Sequence, residues 1–261
     1  MKILFYMSEP DYRLNEFLKC LQETEHQIGV MSQEINEQHI QGFGPDIIMH
    51  NLQGVSSFPI SSKAVSININ ESESDNSFSF ENKESKNFLD NFVSPRNKEV
   101  VAEKINKFQS DIVYMGNIAE FGQTLRHFIR DNNDIIIKFF TPQLNNLYGY
   151  CGLLDINHYG KYYKHSKASL AFAEDDARIK DIIVSGGNPV LFDPNEPESF
   201  KNNLNDAVRN GKRFTMDGMD RKSIIENDTV HDRMAKIFKT VGLNRIVNDI
   251  MKQKRKHWGT A

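Results

Sequence analysis

Short apolar runs, each bounded by glycine, proline or polar residues, recur along the first seventy residues of the chain. Runs of this kind between turn signals predict strands, whereas apolar residues three and four apart predict a helix. Leu14, Phe17 and Leu21 have the helical spacing. A strand-helix-strand order with glycine and proline between the elements predicts a small α/β unit with a parallel sheet. The predicted strands are Lys2–Met7, His26–Met31, Asp46–His50 and Ala64–Ile69.

Residues 71–86 differ in composition from the segments on either side. They consist largely of serine, acidic residues and asparagine, with two isolated phenylalanines, Phe78 and Phe80. Such a composition is typical of loops and of disordered segments. We interpret these residues as a loop or a partly disordered insertion, and the alternative is a lid that closes over an acceptor. A short helical pattern at 100–108 then leads into the second half.

The second half repeats the alternation of strands and helices more clearly. This spacing is typical of a doubly wound parallel sheet. The fold class we predict is therefore α/β, with two Rossmann-like domains, a cleft between them and C-terminal helices. The domains are a small N-terminal one, 1–108, and a C-terminal one, 109–261, that holds the nucleotide. The predicted strands are Asp111–Met115, Asp134–Phe140, Ala168–Ala173 and Pro189–Phe192, and the predicted helices are Phe121–Ile129, Tyr159–Ser166, Ala177–Val184, Ser199–Val208 and Thr229–Met251.

Composition and charge narrow the possible classes of protein. The formal net charge is −3, which does not suggest a polyanion partner, although a local basic patch stays compatible with it. No apolar run is long enough to span a bilayer, and the N-terminus lacks the features of a signal peptide, so we expect a cytoplasmic protein. The two cysteines, Cys20 and Cys151, form no CxxC pair. We therefore expect reduced thiols and no zinc site.

The segment that carries the clearest chemistry runs from Ser169 to Phe192. An apolar strand leads into an acidic turn, which opens a helix that ends at Ser185-Gly186-Gly187. Arg178 and Asp181 lie three residues apart, so a helix places them side by side near its N-terminus. A helix N-terminus beside an arginine suits a diphosphate, and a carboxylate one turn later can accept hydrogen bonds from a ribose diol.

The acidic turn itself, Glu174-Asp175-Asp176, admits two interpretations. Clustered carboxylates after a strand can hold a divalent metal that bridges phosphates. Negative side chains are also favoured at a helix N-terminus, where they cap the free N–H groups. Because the run leads directly into Arg178, we favour the cap and expect no metal site.

In these residues the chain resembles the GT-B class of nucleotide-sugar glycosyltransferases, in particular the group of CgeB-like proteins and phage DNA glucosyltransferases. Members of that group carry Arg-x-x-Glu before a small-residue turn and an apolar strand. The resemblance implies that Arg178 contacts the donor diphosphate and Asp181 the ribose, with aspartate one methylene shorter than the family's glutamate.

Two further segments support the resemblance, which covers about residues 110–195. The strand and turn at 111–117 are similar to those that approach the donor phosphates in the family, which implies phosphate contacts for Gly116 and Asn117. The strand at 135–140, followed by Tyr150 and then by 162–167, is similar to the region that recognises the nucleobase. The predicted nucleotide-sugar site therefore consists of Gly116, Asn117, Tyr150, Arg178 and Asp181.

The resemblance implies a glycosyltransferase that moves a sugar from a nucleoside diphosphate donor to an unidentified hydroxyl, with no metal and no cofactor besides the donor. An inverting enzyme of this kind needs a general base. The candidates are Asp11, after the first strand, and His50, at the end of the third. Two alternatives stay open: a catalytically inactive nucleotide- or sugar-binding module of the same fold, and a phage-type enzyme that modifies DNA. The acceptor is a glycan, a protein, a small molecule or DNA.

The C-terminal segment ends in a basic run, Lys252–Trp258. Such a run can contact phosphate, DNA or an anionic surface, or it can be a solvated, frayed terminus. The apolar positions Met234, Ile237, Phe238 and Val241, next to His231, indicate an amphipathic helix packed on the fold.

Overall fold

The structure is a computed structural model, and it divides into two compact units. One unit is Met1–Phe92 together with Asp228–Ala261, and the other is Val93–Asn227. The residues that the structure describes are 1–8, 12–32, 34–53, 57–59, 63–69, 75–79, 85, 87, 89–90, 92–93, 105–116, 121–141, 151, 154 and 158–259. Among them, no helix combines the length and the apolar character needed to cross a membrane.

The first unit contains a four-stranded parallel sheet in the order β2-β1-β3-β4. The four predicted strands and the first helix are confirmed to within about two residues. A second helix, α2, was not predicted. α2 buries only Ile40, so it has no apolar stripe to reveal it. Asn36 caps its start, and Gly44 ends it with φ of 60°. The elements are β1 (Lys2–Met7), α1 (Tyr12–Gln22), β2 (Gln27–Ser32), α2 (Glu37–Phe43), β3 (Ile47–His50) and β4 (Val65–Asn68).

Residues 75–79, the main described part of 71–86, form turns and isolated bridges as expected of a loop, but this loop is ordered and packed against the first unit. Ser77 bridges to Asn68 at the end of β4. The Phe78 side chain is completely buried in the core of the first unit, and its N–H donates to the Asn68 carbonyl at 2.8 Å. A single apolar side chain among polar neighbours has no period, so the sequence pattern does not reveal this anchor.

The second unit contains another four-stranded parallel sheet, in the order β6-β5-β7-β8. Renumbered from its own first strand, this is the same order as in the first unit, which confirms the prediction of two Rossmann-like α/β halves. The short helix α8 was not predicted. The elements are α3 (Ile105–Phe108), β5 (Ser110–Met115), α4 (Gly122–Asp131), β6 (Ile137–Phe140), α5 (Tyr159–Lys164), β7 (Ser166–Phe172), α6 (Asp176–Val184), β8 (Pro189–Phe192), α7 (Pro197–Asn210) and α8 (Arg221–Asn227).

The last two helices, α9 (Val230–Thr240) and α10 (Asn244–Trp258), belong to the first unit. The predicted boundary, which assigned all of 109–261 to the second domain, is therefore corrected. The apolar faces of the two helices pack into the core formed by the first sheet and α1. The sequence could not predict this, because an amphipathic pattern shows that a helix is packed but not on which sheet. The buried contributors are Val230, Met234, Ile237, Phe238, Ile246 and Ile250.

Candidate functional site

The site lies where the order of the second sheet changes direction. From β5 the chain adds β6 on one side, and it then returns to add β7 on the other side. Ligands of open α/β sheets bind at the carboxyl ends of the strands at such a switch point. Gly116 follows β5, and the turn at 173–175 follows β7 and leads into α6. Gly116 and Arg178, two of the residues predicted to contact a diphosphate, therefore lie on the two sides of this switch point.

The acidic turn positions Arg178 at the start of α6. Asp175 is the N-cap residue, and one of its carboxylate oxygens accepts a hydrogen bond from the Arg178 backbone N–H at 3.1 Å. The other carboxylate oxygen lies 3.1 Å from Nε of the same arginine. The interpretation of this turn as a helix cap is thus confirmed. In addition, Asp175 holds the guanidinium by its Nε edge.

The guanidinium of Arg178 lies over the ring of Tyr114, with its Cζ atom 4.9 Å from the ring centroid. This stacking is the cation–π geometry in which arginine binds an aromatic face. Tyr114 is almost completely buried, and an edge contact with Phe121 at 4.7 Å fixes its ring. Nε of Arg178 contacts the Asp175 carboxylate and the guanidinium plane lies on the Tyr114 ring, and Nη1 is buried with no hydrogen-bond partner among the residues that the structure describes. A buried donor of this kind is costly unless a ligand or water completes it.

Gly116 leaves the space that this arrangement needs. Its φ of 152° is a conformation that favours glycine. A Cβ atom at this position would lie 2.7 Å from the Tyr114 hydroxyl oxygen and 3.1 Å from Nη1 of Arg178. The Gly116 N–H donates to the Phe140 carbonyl at 2.9 Å, which ties the turn to β6. The turn, the tyrosine and the arginine are therefore in contact with one another.

The charges around Arg178 also act on Tyr163, a fully buried tyrosine of α5. Burial raises the pKa of Tyr163, the charge of Arg178 lowers it, and Asp181 is among the groups that raise it further. Burial disfavours the charge of Arg178, but Tyr163, Tyr114 and Asp175 outweigh this effect, so its pKa is raised. Asp181 thus lies on α6 three residues after Arg178, as the spacing predicts, and its charge acts on the same tyrosine.

His50 is fully buried and has hydrogen-bond partners on both ring nitrogens. Nε2 lies 3.1 Å from the Ser66 hydroxyl, and Nδ1 accepts from the Leu52 N–H at 3.4 Å. Burial lowers the pKa of His50 to about 4, so the ring is neutral at pH 7. Because the ring is enclosed and both of its nitrogens are hydrogen-bonded within the protein, we do not retain His50 as a catalytic base.

The other predicted residues, Asp11, Asn117 and Tyr150, lie outside the described residues. Within the described part of the chain, no group of three or more His, Cys, Asp or Glu side chains is arranged to hold a metal ion. Both cysteines are thiols outside any disulfide: Cys20 is buried, and Cys151 is exposed.

Three contributors to the site are not evident in the sequence. Tyr114 is one apolar-strand position among several, and nothing marks it as the platform for Arg178. Asp175 is recognisable as a cap, but its second contact, with Nε, depends on the arginine rotamer. Tyr163 reaches the site from α5, which is adjacent to α6 only in the folded chain.

Fold and site together define a protein of two Rossmann-like α/β units with an arginine at the switch point of the second sheet. No protein-family model matches the chain, and no curated protein matches it. Its fold is similar to that of AviGT4, a glycosyltransferase involved in avilamycin A biosynthesis, with a TM-score of 0.50 and 10% identity, covering 100% of this chain and 99% of that one. D-2-hydroxyisocaproate dehydrogenase gives a TM-score of only 0.22 at 12% identity, over 73% of this chain and 70% of that one. At these identities the similarity to AviGT4 shows a shared fold, and membership of the CgeB-like group stays a prediction.

Proposed function

We propose that the second unit binds a nucleoside diphosphate-sugar and that the protein transfers the sugar to a hydroxyl acceptor. The observation that carries this proposal is the buried Nη1 of Arg178, which lies beside the Gly116 turn at the switch point and has no hydrogen-bond partner in the described part of the chain. A phosphate oxygen at this position would complete the hydrogen bonding of the guanidinium. Bonds between arginine and phosphate are charge-assisted and stronger than neutral ones. The shared fold with a glycosyltransferase supports the same conclusion.

For the remaining contacts of the donor, the proposal follows the sequence resemblance. It assigns Asp181, one turn after Arg178 on α6, to the ribose hydroxyls, Gly116 and Asn117 to the phosphates, and Tyr150 to the base. Arg178 supplies positive charge where the diphosphate leaving group becomes more negative, which is the electrostatic contribution that transfer requires. In this proposal the donor is a substrate, and the site uses no metal and no other cofactor.

For the acceptor, the proposal places a general base on the first unit. Asp11 follows β1 in the sequence, four residues after Met7, and it is the candidate that we retain. A carboxylate of this kind takes the proton of the acceptor hydroxyl as the bond to the sugar forms.

The donor assignment is tested by calorimetric titration of the protein with UDP, GDP, ADP and TDP and with their glucose esters, in buffer containing EDTA. We expect one base to bind best. Arg178→Gln should then weaken that binding by about 10- to 100-fold, since a charge-assisted hydrogen bond contributes about 1.5–3 kcal/mol. Arg130→Gln is the matched control, because Arg130 is an exposed arginine of α4 whose partner is the neighbouring Asp131. Equal affinities in the wild type and Arg178→Gln would refute the assignment.

Transfer is tested separately with the donor that binds best. Slow release of free sugar, or its transfer to a glycan or nucleic acid acceptor, indicates an enzyme. Binding without turnover indicates the inactive module of the same fold, and transfer to duplex DNA alone indicates the DNA-modifying enzyme. Binding that requires Mg²⁺ would contradict the metal-independent part of the proposal.

A further inference from the structure

Charge is unevenly distributed along the chain. Residues 228–261, which form the α9–α10 hairpin, hold eight of the 32 Lys and Arg residues but only three of the 35 Asp and Glu residues. The hairpin is thus strongly basic, although the whole protein is slightly acidic. Separation of charge of this kind is an electrostatic sign of a polyanionic partner.

Three cations of α10 lie on one side of the helix. At about 100° per residue, Arg245, Lys252 and Lys256 fall within an arc of about 40°. Ile246, Ile250, Lys254 and Trp258 are buried and occupy the opposite side of the helix. The rise of about 1.5 Å per residue separates the three cations by about 10 and 6 Å along the axis. We call these three residues the basic stripe. α10 is fully helical to Trp258, so this segment is not a frayed terminus.

Most of the stripe is not neutralised by the protein itself. The buried cations of the hairpin are paired within it: Lys254 with Asp232 at 2.5 Å and Arg233 with Asp228 at 2.5 Å. On the outer side, Asp249 lies 3.4 Å from Lys252 and 3.6 Å from His26. Within the described part of the chain, no ion pair involves Arg245 or Lys256, nor the neighbouring exposed Arg255 and Lys239.

We propose that the basic stripe of α10 binds the phosphate backbone of a duplex nucleic acid, without sequence specificity. A straight row of cations can contact the backbone of a duplex, which carries about one negative charge per 1.7 Å of its axis. An anionic membrane fits less well, because helices that dock on membranes insert an apolar face. The apolar face of α10 is buried in the core, and the large apolar side chains exposed in the described residues, Met1, Val30 and Ile136, are not on the hairpin. The stripe belongs to the first unit, and the proposal is independent of the Arg178 site.

The test is a fluorescence anisotropy titration of a labelled 20-base-pair duplex with the full-length protein in 50 to 200 mM KCl. Three phosphate contacts give a slope of about −3 in log affinity against log salt, or an affinity loss of about 60-fold over this range. The variant R245Q/K252Q/K256Q should lose at least tenfold in affinity at 50 mM KCl and most of this salt dependence. The control K19Q/K201Q/K222Q makes the same change in net charge at partly or fully exposed lysines of α1, α7 and α8, and it should bind within twofold of the wild type.

All substituted positions are surface positions, so we expect both variants to keep the wild-type melting temperature within a few degrees. The salt slope of the wild type tests the proposal even if a variant does not fold. Absence of binding by the wild type at 50 mM KCl, or equal losses in the two variants, would overturn it. Binding to vesicles that contain 30% phosphatidylserine, without binding to the duplex, would overturn it in favour of a membrane.

Discussion

Replacement of Gly116 by alanine tests whether the glycine turn, Tyr114 and Arg178 form one unit. The added Cβ atom would lie 2.7 Å from the Tyr114 hydroxyl oxygen and 3.0 Å from its Cζ atom. Both distances are below van der Waals contact, and the tyrosine cannot easily withdraw because it is buried against Phe121. The same Cβ atom would lie 3.1 Å from Nη1 of Arg178. The substitution should therefore destabilise the second unit and displace the guanidinium together.

Two terms set the expected magnitude. A non-glycine residue in a sparsely populated backbone region costs about 1–3 kcal/mol, and overpacking of a filled site costs about 1–3 kcal/mol. We expect Gly116→Ala to lower the free energy of unfolding by about 2–6 kcal/mol, since both costs apply. Nucleotide affinity should fall by at least tenfold, because the displaced Nη1 no longer meets the phosphate.

Urea unfolding at pH 7 separates the two terms. Gly218→Ala is the matched control: Gly218 has φ of 73°, but its Cβ atom would meet nothing within 4 Å, so only the backbone term applies. Tyr114→Phe removes the oxygen that the new Cβ atom would strike. The double variant Gly116→Ala/Tyr114→Phe should therefore be more stable than the sum of the single changes by about 1 kcal/mol. Additive changes, or equal costs at Gly116 and Gly218, would refute the coupling between the turn and the tyrosine.

Three further predictions follow from other parts of the molecule. Asp181→Asn should reduce the preference for ribo- over deoxyribonucleoside diphosphates in calorimetry, since a neutral amide accepts more weakly than a carboxylate, and unchanged discrimination would exclude a ribose contact. Burial lowers the pKa of His50 to about 4 and that of His231 to about 3, the latter with help from His257 and Lys254. The unfolded chain therefore takes up protons below pH 6.5 that the folded chain does not. Between pH 7 and pH 5, urea unfolding should show that the free energy of unfolding falls by about 2 kcal/mol per histidine, and the fall should be smaller in His231→Gln. A free energy of unfolding that does not change with pH would contradict the burial. Finally, residues 93–227 should give a cooperative thermal transition when they are expressed alone. Residues 1–92 should give one only when they are joined to 228–261, because α9 and α10 complete the first core. Folding of 1–92 by itself would contradict this division.

Much of the fold could be predicted because its strands are apolar and its helices amphipathic. β3 is buried at all four positions, as expected of a strand covered on both faces, and its run Ile47–His50 stands out between polar neighbours. The errors have a physical cause. α2 has a single buried residue, and α9 and α10 pack on a sheet more than 150 positions earlier in the chain. A periodic pattern reports that a face is buried, and it contains no information about the partner.

The candidate site was predictable only in part, for a similar reason. Arg178, Asp181 and the capping turn are close in sequence, and helix geometry alone places them together. Tyr114 lies on β5, 64 positions before Arg178. The parallel pairing of β5 with β7 brings Tyr114 next to the strand that leads into α6, where Arg178 lies. His50 shows the reverse case, in which a sequence signal points to a residue that the fold encloses. A histidine at the end of a strand has a position typical of a catalytic base, but Ser66 and Phe58 enclose its ring.

The two sheets share one strand order, yet the carboxyl edges of their central strands differ in chemistry. After β1 in the first unit, the backbone N–H and the hydroxyl of Ser8 both donate to the Asn51 side-chain oxygen, at 2.8 and 3.1 Å. These neutral groups bond to one another, and the neighbouring His50 is neutral as well. In the second unit, the equivalent edge holds the guanidinium of Arg178, whose buried Nη1 has no partner among the described residues. Of the side chains described at these two edges, it is Arg178 that can give an anionic ligand a charge-assisted bond. This difference, rather than the shared topology, is the reason to assign the donor phosphates to the second unit.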